Sequence, residues 1–267
     1  MLFKDFTWSL EDIISQDFFI EIAESNPDTH VFMHTNSIEY NKQTEFRGSL
    51  QPPIFPPPQR TWITGMSDHY INKYNISPFN GLYDKWYAIN LDMFGPKFQV
   101  IPLGVNTFTS GHENNAKILY EVSRTPVELC NTLAYMNFNA YTYLSERALI
   151  DLQFKEESWV RAQVNQVVPY KEYCEAVHNH KFTFCPRGNG IDTHRFWEAI
   201  YLGSIPIVID YPQMSYFFDQ LPIVKATSWF QITDEFLEIE YERIQATDYN
   251  FEIMKMGFWK NMILNSI

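Results

Sequence analysis

Within residues 181–210 a set of side chains able to hold an anionic ligand falls on one short loop and the first turns of the helix after it. Gly188 and Gly190, in the run Arg187-Gly188-Asn189-Gly190, can take positive φ and turn backbone N–H groups toward a ligand. Asp192 or Thr193 can cap the following helix. Arg195 in its first turn, with Arg187 in the loop, would add charge-assisted hydrogen bonds to phosphate oxygens. Glu198, one turn further, can accept two hydrogen bonds from a ribose diol. A plainer alternative stays open: an Arg195–Glu198 i,i+3 surface pair worth about 0.2–0.5 kcal/mol, beside a solvated loop.

The elements that must position these groups are legible on either side. Phe182, Thr183, Phe184 and Cys185 form a compact apolar run ended by Pro186, as a buried strand does. Phe196, Ala199, Ile200 and Gly203 share one helical face that must lie on a sheet, and Gly203 stands where that helix should stop. Ile205-Pro206-Ile207-Val208-Ile209 is a second buried strand. The unit is therefore a βαβ crossover with a parallel pair. A polar loop and helix N-terminus at the carboxyl end of a parallel strand is where anions bind in open α/β sheets.

The run from Cys185 to Val208 resembles the donor-site signature of exostosin-like glycosyltransferases. In that signature a C-P-x-G loop precedes an R-x-x-E-A helix and a G-x-x-P-V-V-like strand. The stretches TGMSDHY, NLDMFGPKFQVIPLGV and YMNFNAYTYLSER fit the same family in the same order, so the resemblance spans most of residues 63–224. It implies two Rossmann-like halves facing a cleft, the GT-B architecture, a nucleotide-sugar donor with UDP as the default, and a glycan acceptor. The halves are expected at 1–110, on the acceptor side, and 115–245, on the donor side, with 246–267 as a helix crossing back. Transfer with inversion needs a base for the acceptor hydroxyl, supplied from the half facing the donor. Asp68 is the candidate and His69 the second choice, while a helix cap around residues 70–74 is the competing role for Asp68. Arg147 is assigned to the diphosphate, with a surface arginine as the alternative.

No Asp-x-Asp occurs in the chain, and transferases that hold a diphosphate through Mg²⁺ or Mn²⁺ usually need such hard oxygen ligands. No catalytic metal or other cofactor is expected; arginines and a helix N-terminus would neutralise the leaving group instead. His178 and His180 are too close-set for a zinc pair on one helical face, and a surface helix end is expected there. Two other classes remain open. Gly188-Asn189-Gly190-Ile191-Asp192-Thr193 is a degraded G-x-G-x-x-G that a nicotinamide dehydrogenase could use, although it lacks the third glycine. A sugar-binding module without catalysis is the other.

The 267 residues, 45% apolar and 17% aromatic, suit two small domains or one large one with a substantial core. A net charge of −12 argues against nucleic acid, which needs a basic surface, and against a polybasic membrane anchor. Cys130, Cys174 and Cys185 are widely spaced and odd in number, so reduced thiols are expected. No basic n-region precedes an apolar core at the N-terminus, and no run reaches the ~20 apolar residues of a span. A soluble cytoplasmic protein is the expectation, unlike most exostosins, which are membrane-anchored.

Along the rest of the chain, helix is expected over 8–24 with Ser9 as its cap, over 158–168, 170–178, 236–243 and 249–265, and from 141–147 onward. Strands are expected at 29–34, 60–66, 85–90, 98–102 and 133–138. Residues 107–115 read as a linker, and 117–122 as a strand or the end of that linker. The proline-rich stretch 51–59 reads as an extended loop near the cleft.

Overall fold

The computed structural model describes residues 3, 6–36, 38, 61–79 and 81–265. The proline-rich stretch 51–59 lies outside them. Two wholly parallel main sheets carry the chain. The first contains β1 (His30–His34), β2 (Thr61–Gly65), β4 (Lys85–Ala88) and β6 (Phe98–Val100), in the order β1-β2-β4-β6. A parallel two-stranded ribbon of β3 (Ile71–Asn72) and β5 (Leu91–Asp92) stands beside it. Every residue of β2 is buried, as a continuous apolar run in a covered parallel sheet requires. Trp62, Trp86, Tyr83 and Phe79 pack together here, with Trp62 and Trp86 ring centroids 5.0 Å apart. The link from β4 to β6 carries β5 rather than a helix, so this half is poorer in helix than a doubly wound unit.

The second sheet holds β7 (Ala134–Met136), β8 (Val160–Ala162), β9 (Phe182–Phe184), β10 (Ile205–Ile209) and β11 (Val224–Ala226). Their order is β8-β7-β9-β10-β11, all parallel. In chain order that is second, first, third, fourth, fifth, and the direction of winding reverses between β7 and β9. Ligands bind outside the carboxyl ends of strands at such a reversal.

In chain order the helices are α1 (Gln16–Glu24), α2 (Asn115–Ser123), α3 (Leu144–Phe154), α4 (Tyr170–His178), α5 (His194–Tyr201), α6 (Ser215–Phe218), α7 (Asp234–Gln245) and α8 (Met256–Leu264). The α5 helix is enclosed well beyond the sheet-facing side expected for it: Trp197, Glu198, Tyr201 and Leu202 are buried along with Phe196 and Ile200. Helices α2 and α4 cover that second side. The last helix returns to the first half, where Tyr87 Oη donates to the Met262 carbonyl at 3.2 Å.

Three local expectations are corrected. Residues 117–122 belong to α2, whose buried Leu119, Val122 and Ser123 follow a helical period that a six-residue window does not resolve. Residues 158–168 are not helical: Val160–Ala162 is the edge strand β8, held by β7. His178 and His180 are buried, not at a surface. His178 bridges the carbonyls of Leu202 (2.7 Å) and Thr125 (3.1 Å), and His180 contacts Ala176 O and Thr132 Oγ. The expected N-terminal helix is a Leu10–Asp12 turn and α1, and the C-terminal one is a Phe251–Met254 turn and α8. The three cysteines are unpaired. Among the described residues no helix is long and apolar enough to cross a membrane.

Candidate active site

The carboxyl ends of both sheets converge on one cleft. From the first half, β2 runs into Met66-Ser67-Asp68, β4 into Asn90, and β6 into Leu103-Gly104. Met66 and Asn90 hold left-handed φ of 57° and 47° at these strand ends. Such strain in non-glycine residues persists only where surrounding contacts over-determine it. For Asn90 the contact is visible: its Oδ1 accepts the Asp192 N–H across the cleft at 3.1 Å. Gln16, fully buried, ties the same strand ends through the Pro102 and Leu103 carbonyls.

The second half contributes the loops after β7 and β9, and Arg147 fastens these two together at the winding reversal. Its Nε donates to Arg187 O (2.7 Å), Nη1 to Asn139 O (3.0 Å) and Nη2 to Pro186 O (3.3 Å). Arg147 is buried; desolvation, and then the nearby Arg195 cation, bring its pKa down to about 10. A cavity of about 460 Å³ opens between the halves, walled by Asp68, Arg147, Gly188, Arg195 and Glu198 among others. Within it the Arg195 Nε is buried and meets no acceptor among the described residues. An orphan guanidinium N–H beside a second guanidinium marks a place for an anion, because an unmet buried donor is costly.

The remaining candidates divide. Glu198 lines the cavity, and its two carboxylate oxygens accept Tyr170 Oη (2.9 Å) and Tyr173 Oη (3.0 Å). Burial, followed by Glu198 itself, pushes both phenols well above their ordinary range, so they stay neutral donors. The plainer alternative, an Arg195–Glu198 surface pair, is not among the ion pairs of the described residues. Thr193 occupies the N-cap position without a side-chain bond to the helix, so the first turn is left uncapped. Asp192 turns inward: its carboxyl accepts Leu103 N–H (2.8 Å) and Trp197 Nε1–H (2.7 Å). Gly188, Asn189 and Gly190 all border the cavity. A Cβ on Gly190 would lie 2.5 Å from Asn90 Nδ2, so close approach of the two halves requires glycine there. Arg187 does not border the cavity; its guanidinium lies among Tyr70, Tyr143 and Tyr211.

Asp68 is exposed on the first half's wall, with Oδ2 accepting Asn189 Nδ2–H at 3.2 Å. No helix begins there; a turn and β3 follow. His69 follows Asp68 in the chain, is absent from the wall of the cavity between the halves, and borders an adjoining space of about 560 Å³. Among the described residues no three His, Cys, Asp or Glu side chains gather as metal ligands. Asn90, Tyr170 and Tyr173 were not legible as site residues. The tyrosines' i,i+3 spacing shows a shared helical face, but not that Glu198 stands opposite it.

Two parallel sheets facing a cleft, with cationic groups and a helix N-terminus at the second sheet's winding reversal, form the arrangement that the resemblance to GT-B glycosyltransferases implies. Residues 121–219 match the family model described as the RXYLT1 C-terminal domain, a stretch reaching from α2 through α6. That match bears out the resemblance to exostosin-like glycosyltransferases and does not favour a dehydrogenase. No curated protein matches. Among solved structures, an α1,3-fucosyltransferase is similar over 89% of this chain and 78% of its own, at 15% identity and a TM-score of 0.47. A structure titled OtsA apo covers 93% and 76%, at 7% identity and 0.48. Both are remote likenesses, and the resemblance rests on the match over residues 121–219.

Proposed function

We propose that this protein moves a sugar from a nucleoside diphosphate-sugar, UDP by default, to a hydroxyl of a glycan acceptor, with inversion and without a divalent metal. The observation that carries the proposal is the buried Nε of Arg195, unmet among the described residues, beside Arg147 in a cleft between two parallel sheets. Two guanidiniums and an uncapped helix start suit a leaving diphosphate, whose charge builds as the glycosidic bond breaks. Glu198, oriented by two tyrosines, suits the ribose hydroxyls. Asp68 stands on the facing wall, between the donor cavity and the adjoining space where an acceptor hydroxyl can approach. Its carboxylate would take the hydroxyl proton as the anomeric carbon is attacked. The free thiols suit a reducing, cytosolic setting.

Calorimetry with nucleoside diphosphates, followed by transfer assays with a panel of nucleotide sugars, tests this reading. Binding of a diphosphate and transfer that persists in a strong chelator are the expected results. Absence of nucleotide binding would overturn the donor site, and activity restored only by Mn²⁺ would overturn metal independence.

A further inference from the structure

Two contacts cross the cleft side by side. Arg187 Nη2 donates to Tyr70 Oη at 2.7 Å, and Asn189 Nδ2 donates to Asp68 Oδ2 at 3.2 Å. Arg187 and Asn189 are two residues apart on the donor loop, as are Tyr70 and Asp68 on the opposite wall. The guanidinium is fixed from several sides. It lies 4.3 Å from the Tyr143 ring centroid, 5.9 Å from Tyr70 and 6.0 Å from Tyr211, and Nη2 also donates to Asn189 O at 2.8 Å. Tyr211 is itself held by Glu146 (2.8 Å), which also accepts Trp229 Nε1–H (3.1 Å).

We propose that Arg187 is a positioning residue: a cross-cleft latch that acts through Tyr70 and Asn189 to set Asp68 against the donor loop. The inference rests on the glycosyl-transfer reading, within which it moves Arg187 from donor ligand to closure device. A planar guanidinium can stack on aromatic rings while its edge donates to a phenol and a carbonyl. A lysine reaching the same phenol would lose the stacking. Released from the latch, Asp68 would sit on a wall free to shift by an ångström or so, a displacement that can lower rate by about a hundredfold.

The test compares Arg187→Met, Arg187→Lys, Tyr70→Phe and the Arg187→Met/Tyr70→Phe double variant, by calorimetry with UDP and by turnover of the donor. Arg187→Met is expected to lower turnover about ten- to a hundredfold while UDP affinity stays within about threefold. Arg187→Lys should restore only part of the rate. Tyr70→Phe should lose less than Arg187→Met, and the double variant should be no worse than Arg187→Met alone. UDP affinity falling in step with turnover would make Arg187 a donor ligand and overturn the latch; so would losses that multiply in the double variant. Should Arg187→Met fail to fold, the split between turnover and affinity in Tyr70→Phe decides. If the wild-type protein neither binds UDP nor turns over donor, the glycosyl-transfer reading falls separately. The latch is then judged from thermal unfolding of the four proteins, where additive losses overturn it and coupled losses uphold it.

Discussion

Asp192 in the second half accepts the backbone N–H of Leu103 in the first, at 2.8 Å across 89 residues of sequence. The same carboxyl accepts Trp197 Nε1–H, and its own backbone N–H is held by Asn90. One aspartate thus fixes the start of α5 to the ends of two strands in the opposite sheet. Burial pushes its pKa up to about 7, against the pull of the N–H donors from Leu103, Trp197 and Thr193.

That raised value gives a pH dependence with a definite sign. Below the ordinary carboxyl range Asp192 is protonated in both folded and unfolded chains. Between about 4 and 7 the folded state binds the extra proton, so stability falls as pH rises and levels off above the folded pKa. At 1.36 kcal/mol per unit the whole effect is at most about 4 kcal/mol. Burial lowers the pKa of His30, His180 and His194, which acts in the opposite direction, so the Asp192 contribution is read as the difference between wild type and Asp192→Asn. Urea midpoints measured from pH 4 to 8 should fall more steeply, or rise less, in wild type than in Asp192→Asn, and identical slopes in the two proteins would contradict the assignment.

The central crossover could be read from sequence because its signals are local. The apolar runs of β9 and β10 are short and bounded by Pro186 and Gly203, and α5 repeats its apolar residues at a helical period. The site's second side was not legible for the opposite reason. Asn90 meets Asp192 from 102 residues away and Tyr173 meets Glu198 from 25, and neither partner leaves a mark on its neighbours. Asp192 looked like a cap because its type and place fit one; that it turns inward depends on Leu103 and Trp197. Val160–Ala162 became a strand through pairing with β7, a tertiary effect that overrides a short ambiguous pattern.

Gly190 tests how closely the halves must meet. A methyl group there would sit 2.5 Å from Asn90 Nδ2 and 2.8 Å from Oδ1, so Gly190→Ala must displace the Asn90 side chain from the Asp192 N–H. The cost is expected at about 1–3 kcal/mol, the range for stranding a buried polar group. In an Asn90→Ala background, where that N–H has already lost its partner, the same change should cost much less. Denaturant unfolding of the four proteins gives the coupling, and equal costs in both backgrounds would disprove the contact.

Glu198 and its tyrosines separate nucleotide binding from mere packing. Glu198→Gln keeps the volume but weakens the acceptor, and UDP affinity should fall about tenfold to a hundredfold, as for a lost charged hydrogen bond of about 1.5–3 kcal/mol. Tyr173→Phe leaves the carboxylate in place without one of its two anchors. It should lose less affinity while lowering the melting temperature. Calorimetry beside thermal unfolding measures both, and unchanged affinity in Glu198→Gln would remove Glu198 from the nucleotide site.

Arg195 and Asp68 face one another's chemistry from opposite walls, and their variants should fail in different ways. Arg195 carries a buried donor with no acceptor among the described residues, and its neighbour Arg147 already spends three donors on carbonyls. Arg195 is therefore the freer of the two to meet a diphosphate. Its contact should strengthen as the leaving group gains charge, so Arg195→Ala should lower turnover as well as UDP affinity, the latter about tenfold to a hundredfold. Asp68 is exposed, and Asn189 reaches its carboxylate across the cleft. Asp68→Asn keeps its shape and removes its basicity, so UDP affinity should stay near wild type while transfer is lost. Calorimetry with UDP and a transfer assay on the same preparations distinguish the two patterns. Equal affinity in Arg195→Ala and wild type would leave the orphan guanidinium without a ligand, and retained transfer in Asp68→Asn would pass the role of base to another residue, with His69 next in line.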